Sequence, residues 1–424
     1  MIIAIYLGIL TAILIGTLKN PVTALVLAAC MFALEQWSQA SSVFFVEHGT
    51  LTNMVAGSLV LLGVVRALMR GSIRLDIYPK VGWLTLLLFL YAYCSTLWAP
   101  SFETSAAAWQ SAFPYIGTII FLAPLLVWKV KDIRTFCTGM IVLGAPLCIL
   151  LLFTVRWELR QVIIASDAYG DVMGGNPLAV AQIAGYVAFL ALFLRFRKRA
   201  ILWHCARWAI LAITIVLIVR SGSRGQLLGT LGVITVCWGI AHRVRSFPRV
   251  FAILFSLSLI MILVKWSLDW FWAEDIRFKQ QALTDAAIGR LEMARALGRH
   301  WFSSPGTLLF GLGNSASYDP RILGGYIHIV PMEILGEEGI VGFVLYALIL
   351  SGTIRSGFRS YRMVRNDDQL RSLFSCIAAL WLFSFFLTFK QGNLLGSNEF
   401  FLYSILLAKF EPMLRSESGV GKPR

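Results

Sequence analysis

The run Trp83-Leu-Thr-Leu-Leu-Leu-Phe-Leu-Tyr-Ala92 lies in an apolar stretch, residues 81–98, that contains no Asp, Glu, Lys or Arg. A helix of that length spans about 27 Å, close to the roughly 30 Å hydrocarbon core of a bilayer. Of the 424 residues, 58% are hydrophobic and only 14% are charged, and the mean hydropathy is +0.75. A water-soluble protein of this size needs more polar surface. The sequence therefore predicts an all-α polytopic membrane protein.

Apolar stretches of this kind recur along the chain, each closed by charged or turn residues. Thirteen candidates with a cytoplasmic C-terminus would place Met1 outside. Because only Lys19–Pro21 separates the first two, we favour about twelve spans and leave the first hairpin open. The N-terminus lacks a basic segment and a cleavage pattern, so we expect no removed signal peptide. The candidate spans are 2–17, 21–37, 51–68, 81–98, 111–128, 135–154, 176–194, 205–220, 222–241, 249–270, 329–354, 372–389 and 397–410.

Basic residues predict the orientation, because short cytoplasmic loops carry an excess of Lys and Arg. The organisation that follows is a first bundle of about nine to ten spans in residues 1–270 and a large periplasmic loop with an amphipathic helix in 271–328. Transmembrane helices in 329–410 and a polar cytoplasmic tail in 411–424 complete it. The net charge of +15 is thus a topology signal and gives no reason to invoke nucleic acid. Alternate loops carry Arg70, Arg74 and Lys80; Lys129, Lys131 and Arg134; Arg195, Arg197, Lys198 and Arg199; Arg243, Arg245 and Arg249; and Arg355, Arg359, Arg362, Arg365 and Arg371.

The reactive residue types argue against several chemistries. All seven cysteines fall in or beside apolar spans, where Cys behaves as a small hydrophobe. The five histidines show no metal-binding spacing, and the loops opposite the cytoplasm carry no DxD-like carboxylate cluster. Glycine-rich phosphate loops are also missing from the sequence. We therefore predict no metal and no nucleotide cofactor.

Basic groups collect instead on the periplasmic side. Arg220 and Arg224 flank the turn Ser221-Gly-Ser223 between two spans, where glycine lets the backbone approach a ligand and serines supply donors. Guanidinium groups bind phosphate oxygens in bidentate fashion, so a diphosphate would suit this pair. The alternative is that these arginines snorkel to lipid headgroups.

The periplasmic loop predicts a helix over about Asp285–Trp301, capped by Thr284 and Asp285. Its faces mix apolar residues with Arg290, Arg295 and Arg299, which favours an amphipathic helix at the membrane surface. The loop ends in Gly324-Gly-Tyr-Ile-His328, where the chain enters the next apolar segment. An imidazole with an ordinary pKa near 6.5 is suited to accept a proton there. The alternative for His328 is a hydrogen-bonded structural role.

Four motifs together resemble the O-antigen ligase and polymerase superfamily. They are the turn Ser221-Gly-Ser-Arg224-Gly, the helical Gly289-Arg290-Leu-Glu292, the turn Phe310-Gly-Leu-Gly313, and His328 followed by Glu333-Ile-Leu-Gly-Glu-Glu-Gly339-Ile-Val-Gly342. The resemblance covers residues 220–342; elsewhere it consists of span count and loop placement.

The resemblance implies a metal-independent, inverting glycosyltransferase of the GT-C type in the bacterial inner membrane. Its donor would be an O-antigen glycan on undecaprenyl diphosphate, and its acceptor the lipid A-core oligosaccharide, joined at the periplasmic face in lipopolysaccharide biosynthesis. Carried onto this sequence, His328 becomes the candidate base, and Arg224 and Arg290 the candidate diphosphate clamp. Membrane lipids would be further partners, and no cofactor is implied. Further candidates for contacting phosphate or glycan are Arg220, Arg156, Arg160, Arg321 and Lys390.

Three other functions remain open. An O-antigen polymerase would share the chemistry, but the paired arginine-rich loop motifs of some polymerases have a spacing that this chain lacks. A protein O-oligosaccharyltransferase is usually longer. A lipid or solute transporter usually shows two related halves and mid-membrane charges, whereas this sequence has no internal repeat and its charges cluster at one face.

Overall fold

A computed structural model describes residues 2–158, 161–164, 175–195, 200–241, 258, 261–266 and 280–417. The chain divides into two units. The first comprises residues 1–73, 125–274 and 363–380, and the second comprises residues 74–124, 275–362 and 381–424. Among the described residues, the α-helices of more than five residues with both ends defined are Ile2–Lys19, Val22–Ser41, Leu51–Met69, Lys80–Ser95, Phe102–Tyr115, Val130–Phe153, Pro177–Phe193, Ala200–Arg220, Arg224–Ala241, Gln280–Trp301, Pro305–Phe310, Val330–Glu337, Gly339–Val364, Asp368–Leu387 and Asn398–Glu417.

Eight helices of the described residues are long and apolar enough to cross a membrane, which confirms an α-helical polytopic membrane protein. Eight of the thirteen predicted spans correspond to these helices. Four more, at 21–37, 176–194, 222–241 and 397–410, are helical but fall short in length or hydropathy. Of the predicted span 249–270, only residues 258 and 261–266 are described, and these are helical. The number of about twelve spans stays a prediction. The eight helices are Ile2–Lys19, Leu51–Met69, Lys80–Trp98, Phe102–Leu126, Val130–Phe153, Leu202–Arg220, Gly339–Val364 and Asp368–Leu387.

The first unit is built around the helix Val130–Phe153, which packs against Val22–Ser41 and Pro177–Phe193. Glycines on that helix allow the close approach. A Cβ on Gly139 would lie 2.5 Å from Val26 Cγ2, and one on Gly144 would lie 2.5 Å from Val187 Cγ2. Small residues let membrane helices pack backbone against side chain, so these contacts stabilise the bundle where burial from water contributes little.

One element departs from the all-α prediction. Trp157–Glu158 and Gln161–Val162 form a two-residue antiparallel pair within the first unit. The pairing closes the turn after Val130–Phe153, and the Ile163 N–H donates to the Arg156 carbonyl at 2.8 Å. Strands this short are not visible as a pattern in the sequence, because alternation needs at least four residues.

The second unit has an aromatic core. Phe89 and Phe401 lie with ring centroids 5.0 Å apart, and Trp109 and Phe400 belong to the same buried cluster. Trp381 donates from Nε1 to Ser404 Oγ at 3.0 Å, which ties two helices together. Within the span Phe102–Leu126, Pro114 cannot donate a backbone hydrogen bond, and the helix continues as a π segment over Ile116–Leu122.

Several predicted boundaries were wrong. The stretch 329–354 is two helices, Val330–Glu337 and Gly339–Val364, because Gly339 adopts a left-handed φ of 66° that ends the first one. The loop helix already includes Gln280, so Thr284 and Asp285 lie inside it and do not cap it. The last helix runs to Glu417, so residues 411–417 of the predicted tail are helical.

Candidate functional site

The backbone turn Gly311-Leu-Gly313 packs directly on the end of the helix Val330–Glu337. The N–H groups of Leu312 and Gly313 donate to the carbonyls of Gly336 and Glu337, at 3.0 and 2.8 Å. A Cβ on Gly311, whose φ is 81°, would lie 2.1 Å from the Glu337 carbonyl oxygen. The glycine turn is therefore needed both for its backbone conformation and for contact between two backbones.

The carboxylate of Glu337 holds the chain that follows this turn. The backbone N–H of Ser315 donates to Oε2 at 2.7 Å and that of Ser317 to Oε1 at 2.9 Å. Ser315 has a left-handed φ of 59°, which the hydrogen bond to Glu337 stabilises. A buried carboxylate thus fixes the start of the segment that leads to His328.

Two further buried carboxyl groups, those of Glu338 and Glu333, lie in the same segment as Glu337. Glu338 accepts from Asn314 Nδ2 at 3.1 Å, and Glu333 accepts from the Leu394 N–H at 2.9 Å. Burial raises the pKa of Glu338 to about 8, against the hydrogen bond from Asn314, and the neighbouring charge of Glu337 adds to the rise. Burial also raises the pKa of Glu333 and of Glu337. The described residues contain no cluster of three or more His, Cys, Asp and Glu arranged to hold a metal ion.

His328 lies in the turn before the helix Val330–Glu337 and is half-buried. Its φ is 63°, a conformation that a non-glycine residue adopts at a cost. The imidazole packs on Tyr326 with ring centroids 4.1 Å apart, and Tyr326 stacks on Tyr318 at 6.1 Å. Two residues further on, the Val330 N–H donates to the Thr388 carbonyl at 2.8 Å. The turn is therefore fixed on both sides of the histidine.

Within the second unit, the charge of Arg290 acts on His328. Burial lowers the pKa of the His328 imidazole, and the positive charge of Arg290 lowers it further. The helix Gln280–Trp301 that carries Arg290 packs against Val330–Glu337, where Leu297 covers Gly336. A Cβ on Gly336 would lie 2.6 Å from Leu297 Cδ2, so this glycine sets the close approach of the two helices.

The loop helix separates its three predicted arginines. Arg290 is half-buried, whereas Arg295 and Arg299 are exposed. Positions 290 and 295 are about 140° apart around a helix, so the two arginines lie on different faces. Of the three arginines, Arg290 is the one whose positive charge lowers the pKa of His328.

Arg224 belongs to the first unit, where it begins the helix Arg224–Ala241. The preceding turn is tight, with Gly222 at a φ of 64° and Ser221 Oγ donating to the Ile218 carbonyl at 2.7 Å. Arg220 lies over the Trp157 ring, with Cζ 5.5 Å from the centroid, which is a cation–π contact. The serine–glycine turn thus orders the backbone between the two arginines.

The remaining predicted phosphate or glycan contacts are dispersed. Arg321 is paired with Asp319, with Nη2 2.7 Å from Oδ2 and Nε 3.0 Å from Oδ1, and these hydrogen bonds lower the pKa of Asp319 to about 2. Arg156 is exposed beside the short hairpin, and Lys390 is half-buried after the helix Asp368–Leu387. Arg160 lies outside the described residues. For Arg321, the local pair with Asp319 is a sufficient explanation of its position.

The motif resemblance includes Glu333, Glu337 and Glu338 but implies no role for them. The sequence feature that could have drawn attention to these glutamates is their density, since three carboxyl groups occur within six residues of an otherwise apolar segment. Ionised groups are rare in such surroundings unless hydrogen-bonded or functional. The acceptor role towards Ser315 and Ser317 depends on the fold and has no sequence pattern.

No protein-family model matches the sequence, and no curated protein sequence matches it significantly.

Replacing Gly311 with Ala should destabilise the second unit. The added Cβ meets the Glu337 carbonyl and the left-handed φ becomes strained, which together cost about 2–4 kcal/mol. Thermal unfolding of the purified protein in detergent measures the loss. Gly298→Ala is the matched control, because a Cβ there has nothing within 4 Å and alanine favours a helix by up to about 1 kcal/mol. Equal stability of the two variants would contradict the packing role of Gly311.

Glu338→Gln should change how stability depends on pH. A carboxyl group whose folded pKa is raised to about 8 binds a proton more tightly in the folded state, so its contribution is present at acidic pH. This stabilising contribution is lost progressively as the pH rises from the ordinary carboxyl pKa of 4.5 to about 8. The neutral variant escapes that loss, so its melting temperature should exceed that of the wild type by about 3 °C or more at pH 8.5 and match it near pH 5. The exposed Glu292→Gln is the control, and a similar shift there would refute the role of Glu338.

The reaction of His328 with diethyl pyrocarbonate should report its lowered pKa. The reagent modifies neutral imidazole, so the modification rate, followed by mass spectrometry of the His328 peptide, should reach half its maximum below pH 6.5. Arg290→Gln removes a positive charge and should move that midpoint upward. Arg295→Gln removes the same charge from another face and should leave the midpoint in place. An unmoved midpoint in Arg290→Gln would show that the two residues do not interact.

Proposed function

We propose that this chain is an O-antigen ligase of the bacterial inner membrane. The reaction would transfer a glycan from undecaprenyl diphosphate to a hydroxyl group of the lipid A-core oligosaccharide at the periplasmic face. The observation that carries the proposal is the placement of His328, a half-buried imidazole in a turn that is held on both sides, in the same unit as Arg290, whose positive charge lowers the pKa of the imidazole. The motif resemblance supports the same assignment.

His328 is proposed as the general base. The attacking hydroxyl oxygen forms a bond to the anomeric carbon while the bond from that carbon to the diphosphate oxygen breaks. The hydroxyl proton passes to the imidazole, which must be neutral to accept it. A pKa below 6.5 leaves His328 mainly neutral at pH 7, which is the form that can accept the proton. Direct displacement inverts the anomeric configuration.

Arg290 is proposed to hold the leaving diphosphate. Negative charge develops on the diphosphate as the sugar bond breaks, and a fixed guanidinium group stabilises it electrostatically. Arg290 is half-buried on a helix that is itself held by Leu297 and Gly336, so it is positioned before the substrate arrives. Arg224 is proposed as the second arginine of the clamp on the strength of the motif resemblance.

The direct test is transfer by the purified protein, with undecaprenyl-diphosphate-linked glycan as donor and lipid A-core as acceptor, in the presence of EDTA. His328→Asn should lower the rate about 10²- to 10⁴-fold. Asparagine is the suitable replacement because it tolerates the left-handed φ of 63° at this position, whereas alanine adds strain. Arg290→Gln and Arg224→Gln should each lower the rate at least tenfold, and exposed Arg295→Gln should not.

The acceptor distinguishes the candidate functions. Growing glycan supplied alone tests a polymerase, and pilin tests a protein O-oligosaccharyltransferase. Product formed only with one of these would replace the ligase proposal while keeping the chemistry. Full activity of folded His328→Asn would refute the assigned base. No transfer to any of the three acceptors would favour a function without glycosyl transfer, including transport.

A further inference from the structure

We propose that the second unit binds an anionic phospholipid in a cavity at the end of its helices remote from His328. The cavity has a volume of about 780 Å³. Its walls come from the start of Lys80–Ser95, the later turns of Gly339–Val364 and the last turns of Asn398–Glu417. Along Gly339–Val364, 16 residues at 1.5 Å each place Arg355 about 24 Å from the loop end of the helix.

Part of the cavity lining is apolar. Val81, Leu84 and Leu348 line it, and the helices approach closely there because a Cβ on Gly352 would lie 3.0 Å from Val81 Cγ2. Such apolar side chains can contact the acyl or glycerol carbons of a lipid, whereas a small inorganic ion would make no favourable contact with them.

The rim carries four cationic side chains against two carboxylates. Lys80, Arg355, Arg359 and Arg415 face Asp76 and Glu411. Both carboxylates are occupied: Asp76 pairs with Arg74 at 2.9 Å, and Glu411 lies 2.7 Å from Arg415 and 3.7 Å from Arg359. Neither Lys80 nor Arg355 has an ion-pair partner among the described residues. Lys80 and Arg355 therefore bring positive charge without an ion-pair partner to a largely apolar cavity.

Glu411 also orders the rim. Its buried carboxylate lies within ion-pair distance of the guanidinium groups of Arg359 and Arg415, which holds both side chains at the cavity. A cationic rim above an apolar cavity, between helices that end at a membrane surface, matches a headgroup phosphate with its acyl chains below. This is why we assign a lipid and not a free phosphate. The site is independent of the proposed transfer reaction.

Lipid binding to the full-length protein, measured by native mass spectrometry from detergent, tests the assignment. Phosphatidylglycerol should bind more tightly than phosphatidylcholine with the same acyl chains, and inorganic phosphate should not compete at millimolar concentration. Lys80 and Arg355 are each expected to contribute about fivefold in affinity, so Lys80→Gln with Arg355→Gln should weaken phosphatidylglycerol binding about thirtyfold. The single variants should each lose about fivefold, which keeps the test available if the double variant does not fold.

Arg362→Gln is the matched control. It removes the same charge from the exposed end of the same helix, and Arg362 does not line the cavity. Its phosphatidylglycerol affinity should stay within twofold of the wild type. An equal loss in Arg362→Gln, equal binding of phosphatidylcholine, or displacement by inorganic phosphate would each overturn the proposal.

Discussion

The segment around the proposed catalytic histidine depends on the carboxylate of Glu337. It accepts the backbone N–H groups of Ser315 and Ser317, while the carbonyl of the same residue accepts the N–H of Gly313. One residue at the end of a short helix therefore fixes the course of the chain after the glycine turn. A carboxylate with two amide donors is a strong acceptor, and these bonds offset the cost of its burial. Without that acceptor, the amides of a buried turn would have no partner.

The helix break at Gly339 makes this arrangement possible. Had residues 329–354 formed one helix, as their hydropathy predicts, the Glu337 carbonyl would have been used within the helix. The left-handed Gly339 ends the short helix instead and frees that carbonyl for the N–H of Gly313. Gly311 and Gly339 also meet backbone to backbone, since a Cβ on Gly339 would lie 2.4 Å from the Gly311 nitrogen. Two motifs separated by some 25 residues are thus one structural feature.

The apolar stretches predicted most membrane helices from the sequence, because length and hydropathy determine that element directly. The same measure missed the break at Gly339, because a hydropathy average over the length of a membrane span hides a short polar interruption such as Glu337-Glu338. The capping pattern placed the start of the loop helix at Thr284 and Asp285, whereas the helix already includes Gln280. The prediction failed because Thr and Asp are typical N-cap residues but also occur on the polar face of an amphipathic helix. The proximity of Arg290 to His328 did not follow from spacing. It depends on Leu297 packing over Gly336, a tertiary contact between segments about 40 residues apart.

The interaction between Arg290 and His328 has two effects that support each other in the proposed reaction. Before the donor binds, the guanidinium charge lowers the pKa of the imidazole, which keeps the base neutral but also weak. A diphosphate bound to Arg290 brings negative charge of its own, which offsets the guanidinium and restores a higher imidazole pKa. The base then becomes stronger when the donor is in place, at the stage when an acceptor hydroxyl must lose its proton. A neutral residue at position 290 would separate these effects, since the base would be stronger at all times and the leaving group would lose its counter-charge.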